Sequence, residues 1–186
     1  MLIIGITGTL GAGKGTIVDY LVGKKGFLHF SVRGFISQEI VKRRMPVNRD
    51  SMVIVANDLR KKHSPSYIVD QLYEHALQSG RSSVIESIRT PGEISSLSNK
   101  SNFVLFAVDA PPELRYQRIV SRASETDRIT YEQFIENEQR EMHSDEPHKQ
   151  NISRCVELAD YRFINSGTVE ELCEEVEKVL EEIQNE

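Results

Sequence analysis

The sequence predicts an α/β fold built on a five-stranded parallel sheet with helices on both faces. Apolar segments of strand length alternate with stretches whose apolar residues recur at helical spacing, and such alternation makes parallel strands joined by helical crossovers. The opening segment, MLIIGIT, is an unbroken apolar run rich in β-branched residues, as expected of a strand covered on both sides. A chain of 186 residues is long enough for one domain with a sizeable core. No repeat, low-complexity block or linker divides it, so residues 1–186 are read as a single domain.

Each element has its own signal. After the first strand, TIVDYLVG carries Ile17, Val18, Leu21 and Val22 at helical spacing. FLHF (27–30) is a short second strand, and SVRGFISQEIVKR is a helix with Ser31 placed to cap it. Beyond the Pro46 turn, DSMVIVANDLRKK is a further helix. Ser64 and Pro65 suit the N-cap and first helical positions of the next, which runs through IVDQLYEHAL to Gly80. SSVIES (82–87) is the third strand, and Thr90-Pro91-Gly92-Glu93 is a capping box opening a short helix. FVLFAVDA (103–110) is the fourth strand, ended by Pro111-Pro112, which launch the helix ELRYQRIVSR. Thr130 caps TYEQFIENEQREM, HSDEPHKQN reads as a mobile connection, and DYRFI (160–164) is the fifth strand. Asn165-Ser166-Gly167 is a turn, and Thr168 with Glu171 is the capping box of the last helix.

Between the first strand and helix lies GTLGAGKGT (8–16). Gly8, four residues, Gly13-Lys14, and then Gly15 before Thr16 form a variant of the phosphate-loop pattern, in the strand–loop–helix context that it requires. Its glycines let the backbone turn tightly and bring the N–H groups of Gly11, Ala12, Gly13, Lys14, Gly15 and Thr16 toward a polyphosphate. The helix end adds further donors and a positive dipole. Lys14 supplies a point charge for the β- and γ-phosphates, and the Thr16 hydroxyl is a candidate Mg²⁺ ligand. An ordinary glycine turn is the alternative, and spacing, Lys, Thr and context together weigh against it.

Ligands of parallel sheets gather at the carboxyl ends of the strands. The third strand ends in VIESIRT, which puts Glu86 and Arg89 there. An acid at this edge can hold a Mg²⁺-bound water and an arginine can fork onto a phosphate; a surface salt bridge is the simpler alternative. After the fourth strand, Arg115, Arg118 and Arg122 share one helix face, and Arg128 follows across a short loop. Like charges on one face cost stability unless anions sit between them, and a transferred phosphoryl group is such an anion. Arg115 is expected to be the merely solvated member.

The five histidines have no nucleophile or carboxylate at a defensible spacing, and Cys155 and Cys173 are read as reduced packing thiols. A net charge of −5 argues against non-specific binding of nucleic acid. No apolar run approaches the ~18–20 residues that span a bilayer. The N-terminal strand enters the loop without a charged leader or cleavage site, so no membrane association and a cytoplasmic location are expected.

Together these residues resemble the nucleoside monophosphate kinase group of P-loop proteins, over nearly the whole chain. GTLGAGKGT is similar to the adenylate kinase loop, VIESIRT to that family's acid, turn and acceptor-gripping arginine, and RIVSR to the arginine-x-x-x-arginine opening of its lid. The tail LADYRFINSGTVEEL is closer to dephospho-coenzyme A kinases and to an archaeal group of kinase-like ATPases, which VIESIRTPGE and FAVDAPPELRYQRI also resemble. The resemblance implies a P-loop NTPase fold, a three-layer α/β/α sandwich, with ATP and Mg²⁺ at the loop. It places Arg118 against the adenine, Arg122 at the transferred phosphates, Arg128 as the further, catalytic lid arginine, and Asn165 and Gly167 near the adenine ring. It also implies Arg89 on the acceptor's phosphate, Thr16 and Glu86 at the metal, residues 31–80 as an acceptor-binding helical segment, and residues 118–150 as a short lid and connection.

Two departures bear on the acceptor. The Thr-Gly-Asp segment that adenylate kinases carry after the second strand is replaced by FSVRGFISQE, leaving Arg33 as the candidate substrate arginine. Dephospho-coenzyme A kinases place an aspartate near this point to take a proton from a hydroxyl acceptor, and HFSVRG has none. A phosphate acceptor is already an anion and needs mainly positioning. The expectation is therefore transfer of the ATP γ-phosphoryl group to a nucleoside or deoxynucleoside monophosphate. A kinase of a hydroxyl acceptor such as dephospho-coenzyme A, or a regulatory ATP-binding module with slow ATPase activity, are the alternatives.

Overall fold

The computed structural model describes residues 1–122 and 129–185. Strands β1 (Ile3–Gly8), β2 (Leu28–Ser31), β3 (Ser83–Glu86), β4 (Phe103–Asp109) and β5 (Tyr161–Ile164) form one sheet in the order β2-β3-β1-β4-β5, every pairing parallel. The strand order reverses about β1, so a crevice opens at its carboxyl end.

The period of two along the strands divides the core. Ile3, Ile85 and Leu105 face one layer, formed by α2 (Val32–Lys42), α3 (Arg49–Lys62), α4 (Tyr67–Ser79), α5 (Pro91–Ser98) and α8 (Ile152–Glu157). Ile4, Ile6, Val84, Phe106 and Val108 face the other, formed by α1 (Lys14–Lys25) and α9 (Val169–Asn185). Gly5 lies between Ile4 and Ile6, where an added Cβ would come within 2.6 Å of Ile88 Cδ1 and Phe103 Cζ. The missing side chain is what lets these two pack onto β1. Helices α6 (Pro112–Arg122) and α7 (Tyr131–Met142) stand at the carboxyl edge of β4 and are joined through the rings of Tyr116, Tyr131 and Phe134. Among the described residues no helix is long and apolar enough to cross a membrane.

Most expected caps are present. Ser31 accepts from the N–H of Gly34, and Thr90 with Glu93 and Thr168 with Glu171 form capping boxes. Two expectations need correction. Helix α4 begins at Tyr67, because Ser64 to Tyr67 close a separate turn and Pro65 packs against Gly92 instead of opening the helix. The HSDEPHKQN connection is tied down: Asn151 donates its backbone N–H to Arg89 O at 2.9 Å and its Nδ2 to Ser144 O at 2.9 Å. Its Oδ1 accepts from Arg154 N, capping α8, a helix too short for periodicity to show.

The layer that carries α3 and α5 is locked by a buried ion pair. Arg60 donates through Nε and Nη2 to Glu93 Oε1 at 3.0 and 2.6 Å, with side chains 1% and 0% exposed. The other oxygen, Oε2, accepts the backbone N–H groups of Arg89 and Thr90 at 2.8 and 3.0 Å. Removing one partner leaves a buried charge uncompensated, so Glu93→Ala is expected to cost about 3–5 kcal/mol. The shift of the urea unfolding midpoint measures it, and an unchanged midpoint would show that this pair does not hold the layer.

Candidate active site

The loop after β1 is shaped from both sides. Gly8 has φ 138°, and an added Cβ would lie 2.0 Å from Val108 O on the neighbouring strand. Gly13, which precedes α1, has φ 113°, and its added Cβ would lie 2.3 Å from Asn165 Nδ2. Both positions require glycine for conformation and for space. Asn165 Nδ2 donates to Ala12 O at 2.8 Å, while Asn165 O and Oδ1 accept from Arg118 Nη1 and Nη2 at 3.1 and 3.3 Å. One buried side chain thus joins the turn after β5, the loop and Arg118. Next to it lies a cavity of ≈ 480 Å³, lined by Ile164, Asn165, Gly167, Thr168, Leu172 and Lys178 among others. Gly15 and Thr16 occupy the first turn of α1, with open space where a Cβ at Gly15 would stand.

Lys14 folds back over the loop, its Nζ donating to Gly8 O and Thr9 O at 2.8 and 2.7 Å. Burial, and then the charge of Arg89, push its pKa down to about 7, with Arg122 acting the same way and Glu86 and Glu141 opposing. Asp109, which closes β4, accepts through Oδ1 from Thr9 Oγ1 at 2.5 Å and from Ala110 N at 2.8 Å. The sequence reading did not single it out, although an acid ending a central strand is a usable signal. Glu86 Oε2 lies 3.1 Å from His29 Nε2, and this hydrogen bond holds the carboxyl below the usual range against the effect of burial. His29 therefore does have a carboxylate neighbour, supplied by the pairing of β2 with β3 that brings Ser31 opposite Glu86.

The chain leaves β3 through Ser87 at φ 73°, a left-handed conformation costly for a non-glycine residue. It is held there because Ser87 N and Ile88 N both donate to Ile6 O at 3.0 Å and Thr7 Oγ1 donates to Ile88 O at 2.8 Å. Arg89 follows this curl. Its Nη1 donates to Glu141 Oε2 at 2.7 Å and Gln150 Oε1 at 2.9 Å, while Arg49 Nη2 donates to Glu141 Oε1 at 2.6 Å. Arg49 comes from the first turn of α3, far along the chain, and its pairing with Glu141 is not legible in the sequence. Arg33, the expected substrate arginine, is exposed on the first turn of α2 and stands outside this cluster.

Arg115 overturns its expectation. It is buried, with Nε donating to Ala110 O at 2.7 Å and Nη1 to Leu10 O at 3.4 Å, Nη2 2.7 Å from Glu138 Oε1, and its guanidinium 5.3 Å from the centre of the Phe134 ring. Its anionic partner comes from α7, which counting charges along α6 cannot reveal. Arg122 ends α6, and Arg128 lies outside the described residues. Thr16, Glu86 and Asp109 supply hard oxygen donors around the loop. Among the described residues no three His, Cys, Asp or Glu side chains gather into a metal cage, and Mg²⁺ carried on phosphates needs only one or two carboxylates. The donor set fits such an ion.

Residues 4–143 match the AAA domain family, and the chain belongs to it. The archaeal UPF0200 protein TK1334 of Thermococcus kodakarensis is 27% identical over 188 residues, covering 98% of each chain. TT1252 from Thermus thermophilus superposes with a TM-score of 0.63 at 20% identity, over 97% of both chains. A shikimate kinase from Bacteroides thetaiotaomicron gives 0.61 at 13% identity, over 97% of this chain and 98% of that one. The fold is that of the P-loop kinases.

An anion in the loop favours the charged form of Lys14, whose pKa without one is about 7. Binding above that pH therefore takes up a proton. ADP·Mg²⁺ affinity is expected to fall as pH rises beyond this value, by up to about tenfold per pH unit until the raised pKa of the complex is reached. Calorimetry near pH ~8 in buffers of different ionisation enthalpy should show uptake approaching one proton per nucleotide, lost in Lys14→Met. Binding heats independent of the buffer would disprove the coupling.

Proposed function

We propose that this P-loop kinase-like chain is a nucleotide kinase that transfers the γ-phosphoryl group of Mg·ATP to a nucleoside or deoxynucleoside monophosphate. The observation that carries the reading is the division of cations about the loop. Arg118 approaches from α6 beside the turn after β5, and Arg122 ends the same helix close enough to Lys14 to lower its pKa, while Arg89 and Arg49 meet on the β3 side. Phosphoryl transfer demands little covalent chemistry from a protein and much positioning and charge neutralisation, which cations on both flanks supply.

In this reading the backbone of Gly11 to Thr16 cradles the β- and γ-phosphates of ATP, and Lys14 exchanges the carbonyls of Gly8 and Thr9 for phosphate oxygens. Mg²⁺, when bound, neutralises charge on those phosphates, and Thr16 with Glu86 would hold it. Arg118 and the turn at Asn165–Gly167 flank the adenine, and Arg122 meets the group in flight. Arg89 grips the acceptor's own phosphate, the helical segment 31–80 forms the acceptor side, and residues 118–150 close over the site and exclude water.

One observation favours a second reading, in which a hydroxyl is the acceptor. Glu86 is a carboxylate at the end of β3 to which a hydroxyl acceptor could give its proton, although the His29 contact that lowers its pKa makes it a weak base, and the shikimate kinase of similar fold is a kinase of another substrate class. The two forking arginines weigh toward a phosphate acceptor.

A coupled assay of ADP formation across nucleoside monophosphates, deoxynucleoside monophosphates and dephospho-coenzyme A tests both. Arg89→Ala is expected to raise the acceptor KM by about tenfold or more with ATP binding nearly unchanged, while Arg122→Ala lowers kcat for every acceptor. Arg89→Lys should rescue little, because a point charge does not reproduce a bidentate fork. If Arg89→Ala impairs ATP affinity and spares the acceptor, the two sides are reversed. If no acceptor accelerates ADP formation, the chain is a nucleotide-binding ATPase module instead.

A further inference from the structure

Helix α7 carries two carboxylates one turn apart on a single face. Glu138 meets Arg115, which holds the loop at Leu10 O, and Glu141 meets both Arg49 and Arg89. A small cleft lined by Thr9, Leu10, Arg49, Glu138, Glu141, Met142 and Ile152 separates Glu141 from the phosphate loop. The Glu141 carboxylate thus lies across this cleft from the loop, between two guanidinium groups from different elements. Burial works against its charge, yet Arg89 and Arg49 hold its carboxyl below the ordinary range, so it is an anion at neutral pH.

The arginine geometry suits a larger anion. A carboxylate has two oxygens, and here each serves a different arginine: Oε1 takes Arg49 Nη2 and Oε2 takes Arg89 Nη1. Arg49 Nε is buried with no hydrogen-bond partner among the described residues. A phosphate monoester offers three peripheral oxygens, enough to take Nε and Nη2 of Arg49 side by side while still accepting from Arg89.

We propose that Arg49 and Arg89 together form the receptor for the dianionic phosphate of the acceptor, and that Glu141 is a tethered anion occupying it until the acceptor arrives. The inference rests on the acceptor side assigned above and adds to it a second phosphate ligand and an internal competitor. Acceptor binding displaces Glu141, and with it the end of α7. Because the same helix braces the loop through Glu138 and Arg115, the displacement is transmitted to the donor side. An acceptor lacking the dianion does not repay the loss of the Glu141 contacts, so the device selects for phosphate monoesters.

The test titrates inorganic phosphate by calorimetry into the whole chain, with ADP·Mg²⁺ saturating the phosphate loop. Glu141→Gln keeps the shape and removes the competing charge, and is expected to tighten phosphate binding by about tenfold or more, since like charges in one site repel strongly. Adding Arg49→Ala is expected to abolish that gain. Glu141→Asp, which keeps the charge and shortens its reach toward the two arginines, should bind phosphate with intermediate affinity and decides the matter if the glutamine variant does not fold. Phosphate binding no tighter than in the parent overturns the inference, as does a gain that survives Arg49→Ala. The two readings fail separately. Tighter phosphate binding with no monophosphate accelerating ADP formation upholds the anion site and removes the kinase assignment, whereas turnover of monophosphates with no gain in the Glu141 variants removes only the tethered anion.

Discussion

The Glu93 carboxylate, fully buried, has one oxygen on the backbone N–H groups of Arg89 and Thr90 and the other on the Arg60 guanidinium. Three elements meet at it: the chain leaving β3, the start of α5, and the second half of α3. An ion this deep is costly to bury and is kept only where every lone pair finds a donor. Satisfying it fixes α3 relative to Arg89, and α3 brings Arg49 from its other end. The acceptor side is therefore assembled by a buried interaction that touches no substrate in the reading advanced here.

The donor side depends on a comparable brace. Asn165 reaches from the turn after β5 to Ala12 O, at a point where Gly13 leaves room for it, and receives Arg118 on its two oxygens. A loop rich in glycine has many conformations available, and holding one of them costs entropy. The amide of Asn165, together with Arg115 on Leu10 O and Asp109 on Thr9, supplies contacts that hold the loop in the folded state before any nucleotide binds. Preorganisation of this kind limits what binding must spend on ordering.

Much of this was legible in the sequence, and the remainder was hidden for identifiable reasons. The five strands, the loop at 8–16 and the capping boxes at Thr90 and Thr168 each depend on neighbours a few residues apart, which a linear reading sees. Arg89, Arg118 and Asn165 were singled out through motif positions, and the structure adds what each one touches. The pairing of Arg49 with Glu141, the contact of Asp109 with Thr9 and that of Glu141 with Arg89 were not legible, because the partners lie 92, 100 and 52 positions apart. Arg115 was misjudged for the same reason: its helix face looked like a repelling stripe until α7 supplied Glu138. Helix α8, at six residues, is too short for an apolar period to show.

These long-range pairs share a logic. The chain is acidic overall, yet Lys14, Arg49, Arg89, Arg115 and Arg118 converge around one loop, where their mutual repulsion would oppose folding. Each is matched internally: Lys14 by the carbonyls of Gly8 and Thr9, Arg118 by Asn165, Arg115 by Glu138, and Arg49 and Arg89 by Glu141. The partners differ in how firmly they are fixed. Glu138 meets Arg115, whose guanidinium lies over the Phe134 ring, and belongs to the frame, whereas Lys14 holds only neutral carbonyl dipoles and Glu141 leaves Arg49 Nε unpaired. Anions with more oxygens and more charge outcompete carbonyl dipoles and a single carboxylate for the same cations. Within this cluster Arg115 is matched by a fixed partner and supports the fold, whereas Lys14 and Arg49 are matched incompletely and, in the reading proposed above, are open to the oxygens of a polyphosphate and a phosphate monoester.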